Sequence, residues 1–218
     1  HVLEPILLPE QSEVNAFFPS NNYPLPLDPA KPVTMGDFGP PFIYTEAKWA
    51  QEVNLRKSTK TILKCWEEFE RIFKRRYHPV EYYHSENARV LLLTMGSFSE
   101  TAMTAIDQMR GEGKDVGLIK LRLWRPFPFA EIRSAVKDAD VLIVLDRALS
   151  TGGPGGPVAS EIRSALYNED RKPKIVSFVG GLGGRDITAS GFQEMVNRGI
   201  EIAKTGSKQE FEIFGVKE

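Results

Sequence analysis

The sequence predicts an α/β fold, a largely parallel sheet with helices packed across it. Three observations carry that expectation. From about residue 80 onward, short apolar runs alternate with helical patterns, the signature of βαβ units with right-handed crossovers. The run ARVLLLTMG at 88–96 is almost continuously apolar, as a strand buried on both faces must be. Glycine stands at several of the joins, at the ends of 88–96 and 97–113 and in the loops at 152–156 and 180–184.

The elements follow in order. VEYY at 80–83 reads as a short strand, and 88–96 as the first buried one. SFSETAMTAIDQMRGEG at 97–113 reads as a helix with Ser97 or Ser99 as cap and glycine at its end. A strand at 116–124, a helix at 129–139 and a strand at 140–147 come next. A helix at 156–169, a strand and turn at 174–184 and a helix at 187–206 complete the series. The last helix is expected to be capped by Thr188 or Asp186.

The residues ahead of this domain differ in kind. Nine prolines fall within residues 1–41, and proline fixes φ and removes a backbone donor, so an extended arm is expected over 1–44. It is too apolar for a solvated linker: Leu3, Leu7, Phe17, Phe18, Tyr23 and Phe38 call for a surface to lie on. Residues 45–79 read as a connecting helix capped at Thr45, with Trp49, Val53, Ile62, Trp66 and Phe69 at helical spacing. The helix is expected to run to about residue 76, with the cations of KRRY at its C-terminal end and Pro79 forbidding continuation. The α/β domain then occupies 80–218.

Composition narrows the function. The chain has 218 residues, a net charge of −1 and no basic excess, which argues against nucleic-acid or membrane-surface binding. No apolar run reaches the roughly 20 residues of a membrane span. The lone cysteine, Cys65, can form no internal disulfide or iron–sulfur site by itself. Its setting, KCWEEF, reads as helical and half-buried, an inert packing thiol in a reducing, cytoplasmic compartment. The chain opens on His1 and carries no basic-then-apolar leader, so it is expected to be a piece of a longer polypeptide.

Four motifs carry candidate chemistry, each with a plainer explanation beside it. TMGSFSETA at 94–102 joins a strand end to a Ser-rich helix start, an anion seat or simple capping. LRLWRPFP at 121–128 puts Arg125 where ligands and partners meet an open sheet, or where it pairs with a nearby carboxylate. LDRALSTGGPGGP places Asp146 and Arg147 at a strand end, before a loop with Gly152 and Gly153. That loop is a phosphate cradle or a tight turn, and it lacks the Gly-Lys-Ser/Thr of a P-loop. FVGGLGGRDIT sets Gly183, Gly184, Arg185 and Asp186 ahead of a helix, without dinucleotide spacing. Arg185 beside Asp186 suggests a local ion pair or an interface contact. The three histidines stand apart from any nucleophile, and no triad, carboxylate pair or metal-ligand spacing is present. The residues describe a module without a complete active site.

Taken in order, LLLTMGSFSETA, VGLIKLRLWRPFP, VLIVLDRALSTGGPGG and FVGGLGGRDI resemble the transketolase C-terminal-like domain of the 2-oxoacid:ferredoxin oxidoreductase alpha subunit. The LPLD-P arm and the helix after it resemble the stretch joining that domain to the pyrimidine-binding domain, whose end HVLEP resembles. LDR before a Gly-rich loop is more like the pyruvate enzymes. The resemblance implies a three-layer α/β/α sandwich with a five-stranded, mostly parallel sheet, in which 80–83 supplies the antiparallel strand. It implies a pyruvate synthase reaction: oxidative decarboxylation with coenzyme A to acetyl-CoA and CO2, with electrons passing to ferredoxin. Thiamine diphosphate, Mg and [4Fe-4S] clusters belong to the holoenzyme and are expected outside this chain, so no catalytic, cofactor or metal residue is assigned here. Its partners would be the other subunits or domains of the oxidoreductase, and its role assembly and support of the thiamine diphosphate site. Enzymes for 2-oxoisovalerate, 2-oxoglutarate or oxalate remain alternatives, as does a free-standing anion- or nucleotide-binding module on the two glycine loops.

Overall fold

A computed structural model describes residues 6–18, 25–34, 36, 38–206 and 209–217. The chain divides into two compact units, His1–His78 and Pro79–Glu218. The arm residues Leu3, Pro5, Pro19, Tyr23 and Pro24, and the HVLEP segment, lie outside the described residues.

In the first unit the arm is not extended throughout. A two-turn helix, α1, spans Gln11–Phe17 and is started by a capping box between Glu10 and Glu13. Pro9 stands just ahead of it, where proline does not oppose a helix. Helix α2 runs Pro41–Phe73, starting four residues before the expected Thr45 cap. Pro41 occupies the first helical position, where its missing N–H costs nothing and its fixed φ is already helical. The helix ends at Phe73, short of residue 76, because Lys74 turns left-handed at φ 58°. Phe17 packs edge-on against Phe69 and Phe73, with ring centroids 5.5 and 5.7 Å away. No residue of α2 is fully buried, and Cys65 is exposed rather than half-buried: it shares the face of Phe69 and Phe73 but lies a turn short of the rings that Phe17 covers.

The second unit is a three-layer α/β/α sandwich. Its strands are β1 (Val80–Tyr83), β2 (Val90–Met95), β3 (Val116–Leu121), β4 (Val141–Asp146), β5 (Lys174–Val179) and β6 (Glu212–Ile213). They lie in the order β1-β3-β2-β4-β5-β6, with only β1 antiparallel to its neighbour. The sixth strand was not legible in the sequence. Two residues cannot show a period, and β6 exists by pairing with Phe178 and Val179 of β5.

Helices α3 (Phe98–Gly111) and α6 (Ala189–Thr205) cover one face, α4 (Phe129–Val136) and α5 (Pro157–Leu166) the other. Alternation in the strands divides the core between them. Leu92, Leu118, Ile143 and Phe178 meet Ile106, Met109 and Phe192 on the first face. Leu91, Leu93, Ile119 and Val144 meet Ile132, Ala159 and Ile162 on the second. Thr188 caps α6, its Oγ1 accepting from the Gly191 amide at 3.2 Å.

Candidate functional site

The strand order reverses at β2. The connection through α3 leads from β2 to β3 on one side, and the connection through α4 crosses back to β4 on the other. In open α/β sheets the crevice outside the carboxyl ends of the strands, at such a reversal, is the usual binding place. The loops that meet there are the ones singled out by sequence, those after β2, β3, β4 and β5.

Asp146 ends β4 and is almost fully buried, yet its carboxylate is not free. Oδ1 accepts from the Val158 amide at 2.8 Å and Oδ2 from the Ala159 amide at 3.0 Å, so it caps α5 from across the loop. Burial pushes its carboxyl above the usual range, against those amides and the charge of Arg163, which pull it down. The arrangement requires glycine at 156, because a Cβ there would sit 2.1 Å from the Asp146 carboxylate. The first-turn amides of α5, which would make this loop a phosphate cradle, are therefore held by the chain's own carboxylate. Gly152 and Gly153 lie exposed in the turn between Ser150 and Gly155, a single β-bridge closing it.

The arginines of this edge differ in what they hold. Arg125 makes a bidentate pair with Glu161 at 2.8 and 2.6 Å and stacks on Trp124, the local-carboxylate explanation of its position. Arg185 donates to the Gly215 carbonyl. Arg147 instead lies over the Phe98 ring, 4.4 Å from its centroid. Gly183 and Gly184, in the turn after β5, take φ of 63° and 82°. Asp186 follows them, exposed, ahead of α6. In the first motif Ser97 takes the cap position of α3 without a side-chain cap bond, while Ser99 turns inward to Thr94, 2.9 Å away. Away from this edge His84 lies 3.1 Å from Asp107, which also accepts from the Tyr83 hydroxyl at 2.8 Å. The spacing of these three residues in the sequence announces no such cluster.

A cleft of about 290 Å3 opens at the reversal, lined by Met95, Trp124, Leu145, Asp146, Arg147, Ala148, Pro157 and Val158. Sequence reasoning found Asp146 and Arg147 but missed Met95 and Trp124, which reach the cleft from the ends of two other segments.

Residues 88–192 match the family described as pyruvate:ferredoxin oxidoreductase core domain II. That stretch of the chain carries the family's core domain II. It is 40% identical over 198 residues to pyruvate synthase subunit PorA of Methanothermobacter thermautotrophicus, an alignment covering 91% of this chain and 50% of the relative. It is 37% identical over 213 residues to PorA of Pyrococcus furiosus, covering 96% and 52%. The alpha subunit of NADH-dependent phenylglyoxylate dehydrogenase from Aromatoleum evansii is 30% identical over 190 residues, covering 83% and 46%. The chain thus spans about half the length of the curated relatives it matches.

Thiamine diphosphate, implied by the family resemblance, needs N–H donors to its phosphate oxygens and a divalent cation. The residues here do not fit it. The α5 amides at the glycine loop are taken by a carboxylate, and among the described residues no group of three or more His, Cys, Asp and Glu gathers to hold a metal. Among those residues no helix is long and apolar enough to cross a membrane.

Proposed function

We propose that this chain is the C-terminal part of the alpha subunit of a pyruvate:ferredoxin oxidoreductase. The holoenzyme decarboxylates pyruvate oxidatively with coenzyme A, releasing acetyl-CoA and CO2 and reducing ferredoxin. The alignment along nearly the whole chain with two PorA subunits carries this reading. The part played by this piece is non-catalytic: it joins subunits and braces the domains that hold thiamine diphosphate, Mg and the [4Fe-4S] clusters. Residues 1–44 serve as the arm, 45–79, which hold most of α2, as the connecting segment and 80–218 as the transketolase C-terminal-like domain. The enzyme works in the cytoplasm. The phenylglyoxylate dehydrogenase relative favours a second reading, in which the substrate is another 2-oxoacid.

The test is viologen reduction by the full native protein, purified with its partner subunits and loaded with clusters. Pyruvate, 2-oxoglutarate, a branched 2-oxoacid and phenylglyoxylate are compared, each with coenzyme A. Reduction fastest with pyruvate is the expected result. Reduction fastest with another acid selects the second reading, and no reduction by an intact complex overturns both.

A further inference from the structure

The crevice at the strand reversal holds an apolar cleft and one cation with unspent donors, and the fold makes no use of either. Met95 is 39% exposed at its wall, and along the same edge Leu182 is 41% and Phe129 42% exposed. Single exposed apolar residues are ordinary, but an apolar cleft with a cation at its wall marks a binding surface.

Arg147 supplies the polar half. Unlike Arg125 and Arg185, it makes no hydrogen bond or ion pair among the described residues. Its guanidinium is held in place all the same. Phe98 lies beneath it, and Gly181 leaves room for both: a Cβ at 181 would stand 2.5 Å from the Phe98 ring and 3.5 Å from Arg147 Nε. An arginine so placed loses little freedom on pairing and presents a planar fork that fits a carboxylate. Beside it, a Cβ on Gly183 or Gly184 would meet nothing within 4 Å, so the rim of the loop is low and another backbone can come close.

We propose that this edge docks another subunit of the oxidoreductase. A segment of that subunit lays an aromatic or aliphatic side chain in the cleft and sets an Asp or Glu carboxylate on Arg147. The inference rests on the assembly role given above. A protein partner is favoured over a small anion because the cleft beside Arg147 is walled mainly by apolar side chains, those of Met95, Trp124, Leu145, Pro157 and Val158. The charge complement is set by Arg147, and arginine with aromatic neighbours is the composition that dominates protein interfaces.

The full-length alpha subunit and its partners provide the test. Arg147→Glu weakens assembly by about tenfold or more at low salt, as expected for a charge pair enclosed in an interface. Met95→Asp does the same through the apolar half. Arg171→Glu, at the opposite edge of the sheet where Arg171 donates to the Asp138 carbonyl, leaves assembly unchanged. Circular dichroism confirms that each variant folds. p-Benzoylphenylalanine in place of Ala148 cross-links to a partner-subunit peptide that carries Asp or Glu beside an apolar residue. Assembly of a folded Arg147→Glu subunit at wild-type affinity overturns the proposal, as does a cross-link to a second copy of this chain or to no protein. A wild-type subunit that fails to assemble at all removes the assembly role itself, a result distinct from an unaffected variant.

Discussion

Asp146 shows how one residue organises the loop around it. Its carboxylate takes two amides from the start of α5, and Gly156 is the empty space that lets it do so. Gly156→Ala drives a methyl into a buried carboxylate and is expected to cost roughly 1–3 kcal/mol or more, read from chemical denaturation. Asp146→Asn keeps the shape, but only one of its terminal atoms accepts, so one buried amide faces an NH2 group. The expected cost is about 1–3 kcal/mol. The pH dependence separates charge from shape. Burial raises the folded carboxyl above its unfolded value, so Asp146 lowers stability as pH rises through the folded value. Asp146→Asn removes that fall, and an unchanged pH profile would contradict the assignment.

At the scale of the element, β1 is an edge strand held by charge as well as by pairing. Glu81 meets Lys120 at 3.3 Å and also pairs with Arg122, both at the end of the neighbouring β3. Burial alone would raise its carboxyl, but Arg122 and Lys120 together hold it below the ordinary value. The sign is opposite to that of Asp146. The stabilisation is present above the unfolded carboxylate value and is lost as pH falls through the folded one. Acid unfolding of Glu81→Gln should therefore show a shallower loss over that window than the wild type. An identical acid limb would mean that the pairs contribute nothing. Thr188 at α6 is a simpler case: Thr188→Ala removes the bond to Gly191 and should cost about 1 kcal/mol in thermal unfolding.

The molecule as a whole couples a domain with two full cores to a first unit in which no residue of α1 or α2 is fully buried. Phe42, Trp49, Leu27 and Phe38 stay exposed there, 80%, 69%, 83% and 82% respectively. Such apolar surface is unfavourable in water and accords with a chain that works inside an assembly. The same view predicts that the isolated 218-residue chain reduces no viologen with pyruvate and coenzyme A. Turnover by this chain alone would contradict the non-catalytic role.

Local pattern alone determined the α/β class, every strand of four or more residues and the helices α3 to α6. In each the apolar period matches one packing face, and glycine or proline marks the ends. It also pointed to Asp146, Arg147 and Arg125, because a charged residue at the end of a buried strand is conspicuous. Tertiary structure decided the rest. Helix α1 needs Phe17 against Phe69 and Phe73, and β6 needs β5; both are too short to hold or announce their own conformation. The start of α2 turned on Pro41, a residue that reads as a breaker yet fits the first helical position. The fates of the three arginines depended on contacts distant in sequence: Glu161 for Arg125, Gly215 for Arg185, and for Arg147, among the described residues, only the Phe98 ring. A sequence lists charges, but which of them are already satisfied is a matter of distance.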